Sequence, residues 1–386
     1  MRKKVEKELE RLQDLDIIRK AEDPTPWISP IVIVPKGNYE IRICIDNRCA
    51  NQAIQRERHV TPTLDDLIND LNGAMVFSKI DLKNGYHQLE LDEESKYITT
   101  FSTHIGIFQY NRLHFGINSA SEIFQHQVTN LIQGIQAKNY SDDIIVYGKS
   151  ETGNLQEARK NHDENLSNLL QRLKENNVTA NAAKCSFHKT NLKFNGYIFS
   201  QDGISADPEK LQALKDVKPP QNAKEVRSFL GMANYIARFI PDFATISEPL
   251  RLLTHKNSTR KWGEAEKRSL NKIKISLTNK VSYFNPKLQT ELVVDASPVG
   301  LGCLLTQKDS DNKVRVIAYA SRALTPVEQR YSQIEREALA IIWATEHFHL
   351  YLFGTDFCII TDHKPLETIF TRTKSSPIKL ELKDGF

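Results

Sequence analysis

Residues 138–150 read KNYSDDIIVYGKS, and they place two adjacent carboxylates, Asp142 and Asp143, inside a run whose other side chains suit a buried strand. Two like charges about 4 Å apart repel by about 4 kcal/mol at an effective dielectric constant of about 20. An ordinary strand would alternate such residues with apolar ones. The pair is therefore either a solvated turn at the tip of a hairpin or one side of a site that holds positive charge.

Strand and helix patterns mix on both sides of this hairpin, up to about residue 210. The segments that indicate strands are ISPIVIVPK (28–36), EIRICIDNR (40–48), which follows a turn at Gly37-Asn38, and MVFSKID (75–81), which ends in an acid. Helices are indicated by SASEIFQHQVTNLIQ (119–133), where Ser119-x-x-Glu122 has the pattern of a capping box, and by NLSNLLQRLKENN, whose apolar face consists of Leu166, Leu169, Leu170 and Leu173.

The second half of the chain changes its pattern twice. Residues 224 to about 280 indicate helices, and from residue 290 the predicted order is three strands, a long helix and a fourth strand, which is typical of an α/β module. These elements are ELVVDAS (291–297), LGCLLTQ (301–307), VRVIAYASR (314–322), the helix 326–352 and FCIITD (357–362). We predict domains at 1–210, 211–288 and 289–386.

Composition excludes several classes of protein. The 386 residues carry a net charge of +4, which is compatible with nucleic-acid binding without indicating it. The five cysteines are scattered and form no visible cluster with histidines, so we do not expect a zinc site. Their odd number and irregular spacing indicate a protein of a reducing compartment. The charged, helix-patterned N-terminus lacks the apolar core of a signal peptide, and no apolar run approaches the roughly 18 residues of a membrane span.

Three acids in the first half can meet at strand ends. Asp81 ends one strand, and Asp142 and Asp143 lie in the hairpin tip. Carboxylates in this arrangement suit Mg²⁺, which prefers oxygen ligands and leaves positions open for substrate phosphates. Two such ions about 3.5–4 Å apart can hold the attacking and leaving oxygens of a phosphoryl transfer. The alternative is that Asp-Asp is an ordinary solvated turn.

Seven segments, in this order, resemble the reverse transcriptases of gypsy-type LTR retrotransposons, in the pol polyprotein of the Mag-like lineage. The first six resemble, in turn, the start of the fingers, the first carboxylate motif, the template- and nucleotide-contacting motif, the Y-x-D-D hairpin, the motif after it and the primer grip. Their sequences, in the same order, are DIIRKAEDPTPWISPIVIVPKGNYEIRICIDNRCANQ, FSKIDLKNGYHQLEL, FQYNRLHFGINSASEIFQ, YSDDIIVYG, KCSF and LKFNGYIFSQDGISADPEK. VRSFLGMANYIARFIPDFATISEPL resembles the thumb or connection segment of that family.

The resemblance implies a role in polymerase chemistry for three groups of residues. Asp81 and Asp142 would bind two Mg²⁺ ions, supported by Asp143 and the backbone carbonyl of Leu82, while a primer 3′ hydroxyl attacks the α-phosphate of a deoxynucleoside triphosphate. Residues implied to hold that nucleotide are Lys36, Arg42, Leu82, Tyr86, Phe115 and Gly116. Residues implied to contact primer or template, or in the case of Lys184 the leaving pyrophosphate, are Asn118, Gln125, Lys184, Phe194, Asn195, Gly196 and Tyr197.

Most of these roles have a simpler alternative. Tyr86, implied to exclude a ribose 2′ hydroxyl, also suits a half-buried strand aromatic. Arg42 and Lys36, implied to grip the triphosphate, also suit a solvated hairpin. Lys184, implied to protonate pyrophosphate, also suits a surface loop, and Asn118 also suits a helix cap. The remaining alternatives are a plain turn at Phe115-Gly116 and a simple hairpin end at residues 194–197.

Three acids of the C-terminal module form a second candidate cluster. Asp295 ends the first strand, Glu337 lies on the long helix and Asp362 ends the fourth strand. The segment resembles the ribonuclease H domain of the same polyproteins, in which such acids hold two magnesium ions. Glu335 lies on another face of the helix, and the spacing favours Glu337. The simpler alternative is that all three acids are ordinary turn and surface residues.

Two departures from the family pattern are visible. The chain stops 24 residues after Asp362, where the family brings a fourth acid and a final helix, so we expect an incomplete ribonuclease H module whose RNA cleavage stays open. Ser121 stands where the family usually has proline.

We therefore predict an α+β right-hand polymerase with fingers, palm and thumb, an antiparallel palm sheet, and a truncated α/β ribonuclease H-like module after it. The resemblance implies an RNA-directed DNA polymerase with an RNA or DNA template-primer, an RNA–DNA hybrid and deoxynucleoside triphosphates as partners. The alternatives are a catalytically inactive nucleic-acid-binding remnant and a structural subunit of a complete polymerase. The expected location is the cytoplasm, with a virus-like particle or the nucleus as alternatives.

Overall fold

A computed structural model describes residues 1–22, 25–36, 40–56, 62–255, 261–276, 280–366 and 379–382, of which 36, 40 and 379–382 are described for the backbone alone. The chain divides into two compact units. The first unit contains Met1–Leu67 and Ala74–Thr190, and the second contains Ile68–Gly73 and Asn191–Phe386. The predicted turn at Gly37-Asn38 lies outside the described residues.

The helices and strands follow the chain in this order. The helices are α1 (Arg2–Asp14), α2 (Ala50–Ala53), α3 (Leu64–Asp70), α4 (Glu93–Ile98), α5 (Ala120–Leu131), α6 (Leu155–Glu175), α7 (Pro208–Lys215), α8 (Ala223–Tyr235), α9 (Phe243–Ile246), α10 (Glu248–Leu252), α11 (Glu264–Ile275), α12 (Gln333–His347) and α13 (His349–Leu352). The strands are β1 (Ile18–Lys20), β2 (Ser29–Lys36), β3 (Glu40–Ile45), β4 (Ala74–Asp81), β5 (Phe101–Thr103), β6 (Gly106–Tyr110), β7 (Ala137–Tyr140), β8 (Asp143–Lys149), β9 (Ser186–Lys189), β10 (Asn191–Phe194), β11 (Tyr197–Ser200), β12 (Gly203–Ala206), β13 (Gln289–Ala296), β14 (Gly300–Lys308), β15 (Val314–Ala323), β16 (Phe357–Thr361) and β17 (Lys379–Leu382).

The first unit contains two sheets. One has the strand order β1-β6-β5-β2-β3 and is covered by α1, whose buried Val5, Leu9 and Leu12 join its core. The other has the order β7-β8-β4-β9, and all its pairings are antiparallel. Helices α5 and α6 pack on this second sheet through a shared apolar core. The strand predictions for 28–36, 40–48 and 75–81, the hairpin at 139–148 and the helices at 119–133 and 165–177 are confirmed.

Two details of the predicted helices are wrong. Leu170 is 44 % exposed, because the buried stripe of α6 is narrow and consists of Leu166, Leu169 and Leu173. Ser119 makes no side-chain cap on α5, because its backbone (φ −96°, ψ −2°) is already helical rather than extended. Its supposed capping partner Glu122 instead forms an ion pair with Arg56, at 2.7 Å.

The second unit combines a small sheet, a helical segment and a larger sheet. The small sheet has the order β10-β11-β12, and α7 to α11 follow. The larger sheet has the order β15-β14-β13-β16-β17, with β13 and β16 parallel, and α12 packs against β13 and β14. These elements confirm the predicted α/β order after residue 290.

The long helix predicted for 326–352 begins later than expected. Ser332 and Glu335 form a reciprocal capping box, which starts α12 at Gln333. Residues 326–332 are a loop with a short 3₁₀ turn. Within the described residues, no helix combines the length and the apolar character that crossing a membrane requires.

Candidate active sites

The two acid-bearing segments of the first unit meet at one end of the β4–β8 pair. Asp81, the last residue of β4, lies opposite Asp143, the first residue of β8. Just beyond the pair, the backbone N–H of Leu82 donates to the carbonyl oxygen of Asp142 at 2.8 Å. The structure therefore brings Asp81, Leu82, Asp142 and Asp143 to one place, although Asp81 and Asp142 lie 61 residues apart in the sequence.

The turn between β7 and β8 is braced by helix α5. Ser141 at its tip adopts the left-handed conformation (φ 56°). Its N–H donates to Oε1 of Gln125 at 2.9 Å, and Nε2 of Gln125 donates to the carbonyl of Asn139 at 3.0 Å. Gln125 is only 2 % exposed, so its position favours shaping the Asp142 turn over the direct template contact implied by the resemblance.

Two lysines neutralise part of the negative charge of the adjacent acids. Lys79 Nζ lies 2.7 Å from Asp143 Oδ2, and Lys184 Nζ lies 3.4 Å from Asp81 Oδ2. Burial nevertheless raises the pKa of Asp143 above its ordinary value, with Asp142 and Asp81 adding to the rise. Oδ1 of Asp143 is buried and has no hydrogen-bond partner among the described residues. The site thus still has negative charge to neutralise.

This oxygen-rich set fits divalent cations. Mg²⁺ prefers carboxylate and carbonyl oxygens and keeps open positions for phosphate, which is the donor set that Asp81, Asp142 and the Leu82 carbonyl offer. The fit is looser than in the second unit, because these acids are not among the described groups of three whose ligand atoms all lie within 4.8 Å of one another.

A cleft of about 650 Å³ lies above the acids and is lined by residues of the first unit. Its lining includes Asp81, Asp142, Arg42, Phe115 and Lys184. The guanidinium carbon of Arg42 lies 4.5 Å from the centroid of the exposed Phe115 ring. The cleft therefore has a cationic side and an anionic floor, an arrangement that suits a metal-bound polyphosphate.

Tyr86 packs in an aromatic group that includes Phe115, one of the residues that line this cleft. Its ring centroid lies 4.7 Å from that of Phe115 and 5.3 Å from that of Phe124. Burial raises its pKa, and the charge of Asp142 raises it further. The preceding Gly85 lies so close to the acids that a Cβ there would be 3.7 Å from Cβ of Asp142. Tyr86 is thus fixed beside the acids by its packing.

The predicted Phe115-Gly116 step is a strained turn against the first sheet. Gly116 has φ 102°, and a Cβ there would lie 2.9 Å from Nδ2 of Asn47, so the position requires glycine. Asn51 donates through Nδ2 to the Gly116 carbonyl at 2.9 Å, and its own carbonyl accepts from Nδ2 of Asn118 at 3.1 Å. The helix-cap alternative for Asn118 is therefore wrong. The side chain of Lys36 lies outside the described residues.

Residues 194–197 form the tight turn of a hairpin in the second unit. Asn195 (φ 44°) and Gly196 (φ 76°) are both left-handed, and Phe194 and Tyr197 are buried. The Tyr197 hydroxyl donates to the Tyr235 carbonyl at 2.7 Å. A primer contact here would involve the backbone of the turn rather than the two aromatic rings.

The second acid cluster is tightly assembled. One ligand atom each from Asp295, Glu337 and Asp362 lies within 4.8 Å of the other two. Glu337 is buried, its Oε1 accepts from Gln333 Nε2 at 2.6 Å, and its Oε2 has no partner among the described residues. Burial, with the charges of Asp295 and Asp362, raises its pKa to about 7. An unpartnered buried carboxylate oxygen beside two acids fits a divalent cation.

One residue near this cluster was missed by the sequence analysis. Asp242, at the start of α9, is left-handed (φ 46°), and its Oδ1 lies 2.5 Å from where a Cβ of Gly302 would be. Gly302 pairs with Asp295 across the β13–β14 ladder, and burial, with the charges of Asp242 and Asp362 adding to it, raises the pKa of Asp295. No sequence signal connects these residues, because Asp242 belongs to a segment that reads as helical.

The raised pKa of Glu337 predicts how stability depends on pH. Between its ordinary value of 4.5 and about 7, the folded protein keeps this proton while the unfolded chain releases it. The free energy of unfolding of the metal-free protein should therefore fall as pH rises through this window. Urea unfolding of the wild type and Glu337→Gln across the window measures this, and the variant should show a shallower fall. Equal slopes in the two proteins would contradict the assignment.

Comparison with known families identifies two domains. A family model described as reverse transcriptase (RNA-dependent DNA polymerase) matches residues 34–199. Another, described as an RNase H-like domain found in reverse transcriptase, matches residues 285–381.

Curated relatives match most of this chain. The retrovirus-related Pol polyprotein from transposon 412 of Drosophila melanogaster is 34 % identical over 371 residues, which are 92 % of this chain and 29 % of that protein. The corresponding polyprotein from transposon 297 is 33 % identical over 98 % of this chain and 35 % of its own length. The transposon Tf2-3 polyprotein of Schizosaccharomyces pombe is 31 % identical over 87 % of this chain and 25 % of its length. The chain thus spans between a quarter and about a third of these relatives.

Solved structures share the fold. A foamy viral protease-reverse transcriptase in complex with double-stranded DNA superposes with a TM-score of 0.83 at 20 % identity, over 100 % of this chain and 83 % of that one. The same viral protein in complex with an RNA/DNA hybrid gives 0.77 at 20 % identity, over 98 % of this chain and 53 % of that one. This likeness confirms the predicted α+β class, with a palm and an RNase H-like region.

Proposed function

This chain carries a reverse transcriptase domain followed by an RNase H-like domain, and from that premise we propose that it is an RNA-directed DNA polymerase that extends a primer by two-metal phosphoryl transfer. The observation that carries the proposal is the meeting of Asp81 and Asp142 at the floor of a cleft that also contains Arg42 and Lys184. The curated relatives support an origin in an LTR retrotransposon, and we assign it to the gypsy-type, Mag-like lineage.

The residues of the chain would mainly position the reactants and neutralise charge. Asp81, Asp142 and the Leu82 carbonyl would bind Mg²⁺, which when present lowers the charge barrier of the reaction and favours ionisation of the attacking hydroxyl. Arg42 would hold the triphosphate through its guanidinium, whose planar fork suits phosphate oxygens. Lys184, held 3.4 Å from Asp81, would stand beside the departing pyrophosphate as a proton donor.

The partners follow from this chemistry. We propose an RNA or DNA template-primer and deoxynucleoside triphosphates for the first unit and an RNA–DNA hybrid for the acid cluster of the second. Binding to the template-primer should depend on phosphate contacts, weaken as salt rises and show little sequence preference.

Tyr86 is proposed to select deoxynucleotides by occupying the space that a ribose 2′ hydroxyl needs. Tyr86→Ala should therefore raise incorporation of ATP relative to dATP on a poly-U template by about 10²-fold, a discrimination typical of a shape-selective pocket. Steady-state kcat/KM for the two nucleotides measures the ratio. Tyr86→Phe keeps the ring that packs on Phe115 and Phe124, and it should keep wild-type selectivity. Loss of selectivity in the phenylalanine variant would assign the effect to the hydroxyl instead.

The proposed polymerase activity is tested by primer extension on a poly-A template with an oligo-dT primer and Mg²⁺, comparing the wild type with Asp142→Asn. If only the variant is inactive, the chain is a polymerase that uses this acid. If both incorporate nucleotide equally poorly while both still bind the template-primer, the alternative of a non-catalytic nucleic-acid-binding remnant replaces the proposal.

A further inference from the structure

We propose that His162, Asp163 and His188 form a site for a divalent transition-metal ion, of which Zn²⁺ is the best match, on the side of the β7-β8-β4-β9 sheet covered by α6. One ligand atom from each of the three residues lies within 4.8 Å of the others. His162 and Asp163 lie on α6 and His188 lies on the edge strand β9. The ion would thus join a helix to the last strand of the sheet.

The distances among the three side chains are close to those of a coordination sphere. Asp163 Oδ1 lies 2.9 Å from Nδ1 of His162 and 2.8 Å from Nε2 of His188. Tetrahedral zinc with bonds of about 2.0–2.2 Å separates its ligand atoms by about 3.4 Å, so each contact would widen by about half an ångström. Two imidazoles and one carboxylate suit zinc or its neighbours and disfavour Mg²⁺.

The first of the three ligands is held in place by its surroundings. The His162 side chain is fully buried, and its Nε2 lies 2.9 Å from the hydroxyl oxygen of Ser78 on β4. That oxygen also accepts the backbone N–H of His188 at 3.1 Å. With metal on Nδ1, the imidazole hydrogen would lie on Nε2 and donate to Ser78, the kind of outer hydrogen bond that metal-ligating histidines make. Ser78 would therefore orient two of the three ligands.

The backbone around the site allows α6 to lie close to the sheet. A Cβ on Gly148 of β8 would lie 2.1 Å from the Ala158 carbonyl and 2.6 Å from Cβ of His162, so only glycine lets α6 approach the sheet here. His188 is left-handed (φ 52°), an uncommon state for a non-glycine residue. The side chains of Asp163 and His188 remain more than half exposed, which leaves a path for the ion and a position for water.

The test is a Co²⁺ titration of the full chain after removal of metal with a chelator, in excess Mg²⁺ to occupy oxygen-ligand sites. The wild type should bind one equivalent with the visible absorption of tetrahedral cobalt and no thiolate band, and Zn²⁺ should displace it. His188→Gln should lose the absorption, and Ser78→Ala should weaken affinity by about 10- to 100-fold. The surface histidine His349, changed to glutamine, is the matched control and should leave binding unchanged.

Thermal unfolding gives a second readout. With the oxygen-ligand sites again occupied by excess Mg²⁺, Zn²⁺ should raise the melting temperature of the wild type and of His349→Gln by the same amount and leave that of His188→Gln unchanged, because an ion bound only by the folded state stabilises it. Absence of the cobalt absorption in the wild type, full binding by His188→Gln, or a thiolate band would each overturn the proposal. The three residues would then be a hydrogen-bonded trio that binds no metal.

Discussion

Replacing Asp81 with asparagine is expected to slow primer extension by about 10³-fold, because losing a charged metal ligand removes several kcal/mol of transition-state stabilisation and each 1.4 kcal/mol is a factor of ten. Asp142→Asn should have an effect of the same size. Asp143→Asn should cause a smaller loss, since Asp143 is already paired with Lys79 at 2.7 Å. Single-turnover incorporation with saturating Mg²⁺ and template-primer measures all three rates.

The fold should survive the Asp81 substitution. The only ion pair it removes among the described residues is that with Lys184, whose side chain is 66 % exposed, and exposed pairs contribute about 1 kcal/mol or less. Glu94→Gln, a charge-matched change on the exposed surface of α4, should leave the rate and the melting temperature unaltered. An Asp81→Asn protein that extends primers at the wild-type rate would refute the two-metal assignment.

If the acid cluster of the second unit cleaves the RNA strand of a hybrid, Glu337→Gln is expected to slow this Mg²⁺-dependent cleavage, again by about 10³-fold, and at the same time to stabilise the metal-free protein. The carboxylate has a pKa raised to about 7 by burial and by Asp295 and Asp362, so its charged form is held at a free-energy cost. An amide of the same shape keeps an oxygen for Gln333 Nε2 and removes that cost. Cleavage of a labelled hybrid and urea unfolding above the titration window measure the two effects.

Glu335 provides a control two residues away. Its carboxylate caps α12 by accepting from the N–H and hydroxyl of Ser332, both at 2.8 Å. Glu335→Ala should therefore lower stability by about 1 kcal/mol, the usual value of a lost cap, and leave cleavage unchanged. A rise in stability for Glu337→Gln and a fall for Glu335→Ala would show that the two acids have different roles. A wild-type protein that cleaves no hybrid, under conditions in which it extends primers, would contradict an active nuclease in the second unit.

Periodicity and motif order predicted the elements that carry the acids. Strand β4 has a short apolar run that ends in an acid, β8 has one that follows an acid, and α5 and α6 have apolar faces, so their kinds and approximate limits were readable from the sequence. The role of Gln125 was not readable from the sequence, because a buried glutamine that braces a turn and an exposed glutamine that contacts a template look alike there. Leu170 was misjudged for a similar reason, since the width of a helix contact depends on its neighbours.

The main feature that could not be predicted from the sequence was which residues of distant segments meet in the fold. Asp242 reaches Asp295 only because α9 packs on β14 and β15. His162 and His188 lie 26 residues apart and meet because β9 pairs with β4, a pairing that short strands with few apolar residues do not announce. A site with imidazole ligands could therefore not be predicted from the sequence.

The two faces of strand β4 make different contacts and have different functions. Asp81 lines the acid cleft and Lys79 pairs with Asp143, whereas Ser78 contacts His162 of α6 and Ile80 lies in the core. Because side chains alternate along a strand, an insertion or deletion of one codon within 78–81 would place the residues on one side of the change on the opposite face. Either the carboxylate would enter the core or the serine would leave its histidine. We therefore expect this tetrapeptide to vary among relatives of this chain by substitution and not by change of length.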